Sequence, residues 1–180
     1  SGEALDGLSG VDACEVIAGL YRTLHVPAMP QLLTLQAELE HWRRDFAELP
    51  RSAPIPHRFV EQAIGLTGEL ADEPHTTVLH GDLHYATVLA AEREPWLAIA
   101  PKPLNGDPHY EVAPMLWSRW DDVAGNVRDG VRRRFYTLVD AAGFDEERAR
   151  AWVIVRAVRE AMRDPDGLTR YVAIAKAMLD

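Results

Sequence analysis

One stretch in the middle of the chain, from Val78 to Glu111, limits the folds open to it: VLHGDLHYATVLAAEREPWLAIAPKPLNGDPHYE. Two apolar runs too short for helices, VLAA from Val88 to Ala91 and WLAIA from Trp96 to Ala100, bracket the turn-forming EREP as the arms of a β-hairpin do. HGDLH stands before that hairpin and sets a carboxylate between two imidazoles. PKPLNGDP follows it as a loop dense in Pro and Gly. Polar side chains on loops held by a rigid frame are where chemistry is usually carried.

The flanks read as helix. From Asp12 to His25, Val16, Ile17, Leu20 and Leu24 recur at helical spacing until Pro27 and Pro30 stop the run. A second helix is expected over Leu32 to Leu49, with Leu32, Leu35, Leu39, Trp42 and Phe46 on one face. A third is expected over His57 to Ala71, with Phe59, Val60, Ala63, Ile64, Leu66 and Leu70. Beyond Glu111 the pattern predicts helices over Tyr110 to Trp120, Asn126 to Ala142 closed by Gly143, Arg148 to Met162 capped by Asp145, and Gly167 to Leu179. Arg132, Arg133 and Arg134 read as a solvated helix face. The fold class expected is mainly α with a small β element (α+β), in one unit, since 180 residues at 47% hydrophobic suffice for one substantial core.

Charge and cysteine content narrow the function classes. A formal net charge of -9 argues against a nucleic-acid binder, which presents a basic face to phosphates. The lone Cys14 rules out an intrachain disulfide and reads as a small core residue. No apolar run approaches the roughly 20 residues that cross a bilayer, so no membrane partner and a cytoplasmic location are expected. Of the 19 cationic residues only Lys102 and Lys176 are lysines, so no lysine precedes the central block. The opening Ser1-Gly2 pair is left out of the reading.

Spacing alone leaves two chemistries open for HGDLH. In an extended segment His80, Asp82 and His84 share a face and would form a metal site, with His75 or His109 completing it, as a metallohydrolase requires. Alternatively the segment is the catalytic loop of a kinase, which needs a carboxylate to accept a hydroxyl proton and further ligands to hold a magnesium-bound nucleotide. Asp82, then position 87, then the hairpin, then position 100, with GDP at Gly106 to Pro108 opening a helix, fits that order. A plainer reading, in which the histidines only hydrogen-bond and shape the loop, accounts for His80 and His84 equally well.

The segments HGDLHYATVL, REPWLAIAPKP and GDPHYEVAP, in that order and spacing, resemble the C-terminal lobe of the aminoglycoside and hydroxyurea phosphotransferases, streptomycin 6-kinases among them, which carry HGDLHxxNVL, REPWLAIDPKP and GDPxYE. The likeness is dense from Val78 to Trp117 and extends to LYRTLHVP, Leu20 to Pro27. It implies the lower lobe of a protein-kinase-like fold across residues 1 to 180, ATP and Mg as cofactors, and the hydroxyl of a small, possibly cationic aminoglycoside as acceptor. It gives Asp82 the position of the catalytic base, makes His80 and His84 supports of the catalytic loop, and makes Asp107 the buried brace of that loop. Glu111, Asp121 and Asp122 stand where an acidic acceptor pocket would form, and a solvated helix face accounts for them equally well.

The departures weigh as much. The family's metal-binding Asn is Thr87 here, a weak metal ligand at best, and its metal-binding Asp is Ala100, which has no ligand atom, so both Mg-ATP positions are degenerate. Helices, with neither a glycine-rich loop nor a lysine, fill the chain before Val78, so the nucleotide-covering lobe is absent from this stretch. The helices facing that lobe would leave an apolar surface for it, for a protein partner or for a second copy. The expectation is a phosphotransferase relative with weak or no kinase activity. The alternative is a pseudokinase that serves as a binding scaffold.

Overall fold

In the computed structural model, which describes residues 5–179, seven α-helices surround two small antiparallel β-pairs. Ser1 and Gly2 lie outside the described residues. The helices are α1 (Gly10–Leu24), α2 (Leu35–Glu48), α3 (His57–Ala71), α4 (Pro114–Trp117), α5 (Val127–Ala142), α6 (Glu146–Arg163) and α7 (Leu168–Leu179). The strands are β1 (Thr77–Leu79), β2 (Val88–Leu89), β3 (Leu97–Ala98) and β4 (Leu104–Gly106). The chain is thus mainly α with a small β element, as its patterning predicts, and no described helix is long and apolar enough to cross a membrane.

Local chemistry sets most helix ends. The hydroxyls of Ser9 and Thr34 and the carboxylate of Asp145 accept the backbone N–H three residues on, at the starts of α1, α2 and α6, and Gly143 closes α5 in the left-handed conformation (φ 69°). α3 has the limits its apolar spacing predicts. α2 starts three residues later than expected because Asn105 N–H takes the carbonyl of Leu33 at 2.8 Å and holds Leu32 and Leu33 out of the helix. The single helix expected over Tyr110 to Trp120 is broken into a 3₁₀ turn (Pro108–Val112), α4 and another 3₁₀ turn (Trp120–Asp122).

Arg134 makes that break possible and corrects the reading of the Arg132–Arg134 triplet as solvated. It is 4% exposed and donates to the carbonyls of Met115, Ser118 and Arg119. Those are carbonyls a continuous helix would have satisfied internally, and a guanidinium with five donors replaces the lost bonds. Cys14 is buried in α1 as expected, and burial pushes its thiol up to about 12, with Arg134 pulling it back and Glu15 adding to it.

α6 is the spine. Its buried face, from Ala149 through Trp152 to Ala161, packs against α3 and α7, while α1 packs on α5 and α2 on α3. Each fully buried large apolar side chain contributes about 1.5–3 kcal/mol, and Trp152 at 0% exposed is the largest of them.

The loop expected over PKPLNGDP contains β4, which pairs antiparallel with β1 in the register Thr77↔Gly106, Val78↔Asn105, Leu79↔Leu104. Segment 26–34 laces both strands: Val78 N–H donates to Val26 O, Ala28 N–H to Thr76 O, and the Asn105 amide exchanges hydrogen bonds with Met29 N–H (2.9 Å) and Met29 O (2.7 Å). The hairpin exists as two-residue strands, Val88↔Ala98 and Leu89↔Leu97. Together the pairs bring the end of β1 beside the approach to β4, where Lys102 N–H donates to His80 O at 2.8 Å.

Candidate functional site

The loop from His80 to Thr87 leaves β1 through a turn that only glycine can make. Gly81 has φ 90°, and a Cβ there would collide with the carbonyl oxygen of Lys102. Its N–H and that of His80 both donate to the carboxylate of Glu111, at 2.8 and 3.0 Å, and the His25 ring nitrogen Nε2 lies 3.0 Å from the same carboxylate. Glu111 is 0% exposed. It therefore anchors the loop from within and does not line an acceptor pocket, which corrects its sequence reading. Little in its local sequence could have told the two roles apart, since its partners lie 30, 31 and 86 residues away.

Both loop histidines are tied to backbone. His80 Nδ1 accepts from Asp82 N–H (3.1 Å), so its Nε2 carries the proton that is donated to Ile99 O (2.8 Å). His84 Nδ1 accepts from Ala86 N–H, which turns its Nε2 toward Asp82 Oδ1 at 3.6 Å. With these nitrogens engaged, His80, Asp82 and His84 cannot converge on an ion, and among the described residues no group of three or more His, Cys, Asp or Glu is arranged to hold a metal. The metallohydrolase reading, with His75 or His109 as a further ligand, is thereby corrected. His75 Nε2 sits 2.9 Å from Leu70 O, and His109 Nδ1 2.7 Å from Asp107.

Thr87 uses its hydroxyl inside the loop, accepting from His84 N–H (2.9 Å) and donating to Asp82 O (2.8 Å). Ala100 is exposed and left-handed, with φ 51°, a conformation that costs a residue with a Cβ roughly 1–2 kcal/mol and that Asp, Asn or Gly adopt more readily. Asp107 is 0% exposed and accepts from His109 N–H, Trp152 Nε1 (2.8 Å) and Arg148 Nε (2.6 Å). Burial alone would raise its pKa, but the hydrogen bonds from His109 and Trp152 overturn that and hold it at about 2. These partners belong to α6 and to its own turn, so Asp107 ties the 3₁₀ turn to the spine, and the carboxylate that takes the His80 and Gly81 N–H groups is Glu111.

Asp82 is the loop's outward carboxylate, its side chain 27% exposed. Burial works to raise its pKa, yet the facing His84 imidazole and the Lys102 ammonium, 3.2 Å from Oδ2, hold it below the usual carboxylate range. Lys102 was read in sequence only as a rare lysine. Its position, two residues beyond Ala100, is the one signal that could have placed it here.

Asp82 opens on a cavity of about 230 Å³ lined also by Trp42, Gly81, Lys102, Tyr110, Trp117 and the α6 side chains Arg156, Arg159, Glu160 and Arg163. Glu111, Asp121 and Asp122 are not in its wall. Asp122 is bound to Arg119 at 2.7 Å and Asp121 is exposed, so the acidic acceptor pocket expected from these three does not form.

The family described as aminoglycoside/hydroxyurea antibiotic resistance kinase matches residues 6–167. The streptomycin 6-kinase of Streptomyces glaucescens is 43% identical over 159 residues, covering 84% of this chain and 51% of that protein. The streptomycin 6-kinase of Streptomyces griseus is 39% identical over 196 residues, covering 98% of this chain and 63% of its own length. The hydroxyurea phosphotransferase of Kitasatospora aureofaciens is 37% identical over 192 residues, covering 99% of this chain and 54% of its own. The chain spans between half and two thirds of the length of these relatives.

Proposed function

The chain belongs to the aminoglycoside/hydroxyurea antibiotic resistance kinase family, and from that premise we propose that it supplies the acceptor-binding, base-bearing part of a phosphotransferase acting on a hydroxyl of a small molecule, with transfer weak or absent in this chain. Asp82 is the base. Held ionised by Lys102 and His84, its carboxylate accepts a hydrogen bond from the acceptor hydroxyl and takes the proton as that oxygen bonds the γ-phosphorus of the donor and the bond to the bridging oxygen breaks, the nucleoside diphosphate leaving, a contribution of about 10²- to 10⁴-fold. The fixed turn at Gly81 and its anchor at Glu111 set where that carboxylate points.

Ala100 carries the reading of weak activity. A hard cation such as magnesium needs several oxygen ligands in near-octahedral array. Ala100 offers none, the Thr87 hydroxyl is taken up by the loop, and Asp82 is paired to Lys102. The residues present do not fit magnesium. The same facts favour a binding scaffold as the second reading, because the cavity beside Asp82 is intact without a metal site. Val26, Met29 and Leu33, exposed on the segment beside β1 and β4, are the apolar surface we assign to a nucleotide-covering lobe.

The test compares this chain with Ala100→Asp, a change the left-handed backbone accommodates. Thermal shift with ATP is expected to show no magnesium-dependent component in the parent and a clear one in the variant. Turnover by the parent at an ordinary rate, about 1 s⁻¹ or faster, with streptomycin or hydroxyurea as acceptor would refute the reading.

A further inference from the structure

We propose that Arg163 is a built-in competitor of the acceptor: its guanidinium holds the Glu160 carboxylate in the place that a cationic group of the acceptor takes, and binding exchanges one cation for the other. This rests on the reading of the cavity beside Asp82 as the place where the acceptor sits.

The wall carries four cations, Lys102, Arg156, Arg159 and Arg163, and two carboxylates, Asp82 and Glu160. Two further carboxylates, Glu38 and Asp45, act on Arg159 from α2, so the signs balance. A cationic acceptor therefore meets no spare negative charge and has to take a carboxylate from one of the chain's own cations. Asp82 is committed, with Lys102 at 3.2 Å and the acceptor hydroxyl to face. Asp45 is outside the wall and has Arg159 at 3.6 Å. Glu160 is the carboxylate that remains in the wall, and its partner is Arg163, whose Nη1 stands 3.7 Å from Oε1.

That pair is the longest of the three, well beyond the about 2.7–2.9 Å of a charge-assisted hydrogen bond. The Arg163 side chain is 62% exposed, so water receives its guanidinium as it leaves, and an ion pair of this kind gives way easily. Glu160 is 26% exposed, and a cation held at a drier carboxylate is attracted more strongly than one in open water. The exchange sets one positive charge in place of another. Arg159, whose pKa burial and then the Arg163 charge lower against the pull of Asp45, Glu160 and Glu38, therefore keeps the same balance around it.

The aromatic faces of the wall are already covered. Arg156 lies 3.8 Å from the Tyr110 centroid and 5.4 Å from that of Trp117, and its burial and its bond to Tyr110 O at 2.9 Å keep it there. Arg159 lies 4.6 Å from the Trp42 centroid. Recognition of a cation thus falls to Glu160. Space points the same way: with Arg163 in its wall the cavity holds about 230 Å³, below the roughly 300–1,000 Å³ of sites for drug-sized ligands, and the departure of that side chain widens it beside Glu160.

Isothermal titration with streptomycin, a cationic aminoglycoside, at low salt and without nucleotide tests this in four proteins: the chain, Arg163→Gln, Glu160→Gln and the double variant. Neither side chain is buried, so each variant keeps the fold. Arg163→Gln is expected to bind about two- to fivefold more tightly, because the ligand no longer displaces a guanidinium. Glu160→Gln should bind about tenfold more weakly or worse. In the double variant the gain from Arg163→Gln should vanish, since no carboxylate is left to compete for. A charge that merely repels the ligand would give the same gain with and without Glu160. The proposal is overturned if Arg163→Gln binds no more tightly than the parent, if Glu160→Gln binds as the parent does, if the gain survives in the double variant, or if neither the chain nor Arg163→Gln binds streptomycin. No turnover is measured, so the kinase reading is tested apart: a magnesium-dependent ATP shift in Ala100→Asp beside a failed exchange upholds that reading and sinks this one, and the converse pattern does the reverse.

Discussion

Glu111→Gln should damage the candidate site more than any substitution in its open wall. The carboxylate receives His80 N–H at 3.0 Å and Gly81 N–H at 2.8 Å, has His25 Nε2 at 3.0 Å, and is 0% exposed. A glutamine keeps one oxygen but turns an NH₂ group toward a donor, so at least one buried N–H loses its acceptor and a second bond loses its charge. A hydrogen bond to a charged group contributes about 1.5–3 kcal/mol, and a stranded buried donor costs about 1–3 kcal/mol. The sum, about 2.5–6 kcal/mol, is a large part of the 5–15 kcal/mol that keeps a domain folded. At about 2–4 °C per kcal/mol for a chain of this size, the melting temperature should fall by roughly 5–24 °C. Urea denaturation gives the free energy, and amide hydrogen exchange gives the place, with His80 and Gly81 losing protection ahead of the helices. A loss under about 1 kcal/mol with those two amides still protected would refute the view that this carboxylate holds the loop.

Two further outcomes follow from the same geometry. Asp107, depressed to about 2 in the fold against about 3.9 in an unfolded chain, adds roughly 2–3 kcal/mol that is fully present above pH 4 and is lost as pH falls toward 2. Asp107→Asn should be about 3 kcal/mol less stable at pH 7 and show a flatter stability profile between pH 4 and 2, and parallel urea-derived profiles for the two proteins would count against it. Gly81→Ala must relieve both a left-handed backbone and a collision with the Lys102 carbonyl, so it should cost about 2–4 kcal/mol and release the Lys102 N–H bond to His80. A crystal structure of the variant with that bond intact and φ unchanged would contradict this.

Much of the architecture was legible because it follows from local periodicity. The limits of α3 and the cap at Asp145 need nothing beyond neighbouring residues. The density of matching motifs from Val78 to Trp117 carried the family. What stayed hidden depends on partners distant in sequence. Leu104 to Gly106 looks like loop because of its Pro and Gly, and becomes strand because β1 and segment 26–34 supply its hydrogen bonds. Arg134 is indistinguishable in sequence from Arg132 and Arg133, and only the open carbonyls around α4 bury it. The character of the cavity was missed for the same reason. Its three arginines sit on α6, where the sequence shows only another amphipathic helix, whereas Glu111 and Asp122 serve other contacts and Asp121 is exposed outside the wall.

The lacing of β1 and β4 by segment 26–34 also orders events in time. Closing it joins stretches that lie some fifty and seventy-five positions apart along the chain, whereas each helix forms from neighbours. The helical frame should therefore be assembled before the turn at Gly81 acquires its shape. In a refolding experiment the far-ultraviolet signal would return first and protection of the His80 and Gly81 amides last, so that a newly made molecule passes through an interval in which it is helical yet has nothing to offer a ligand.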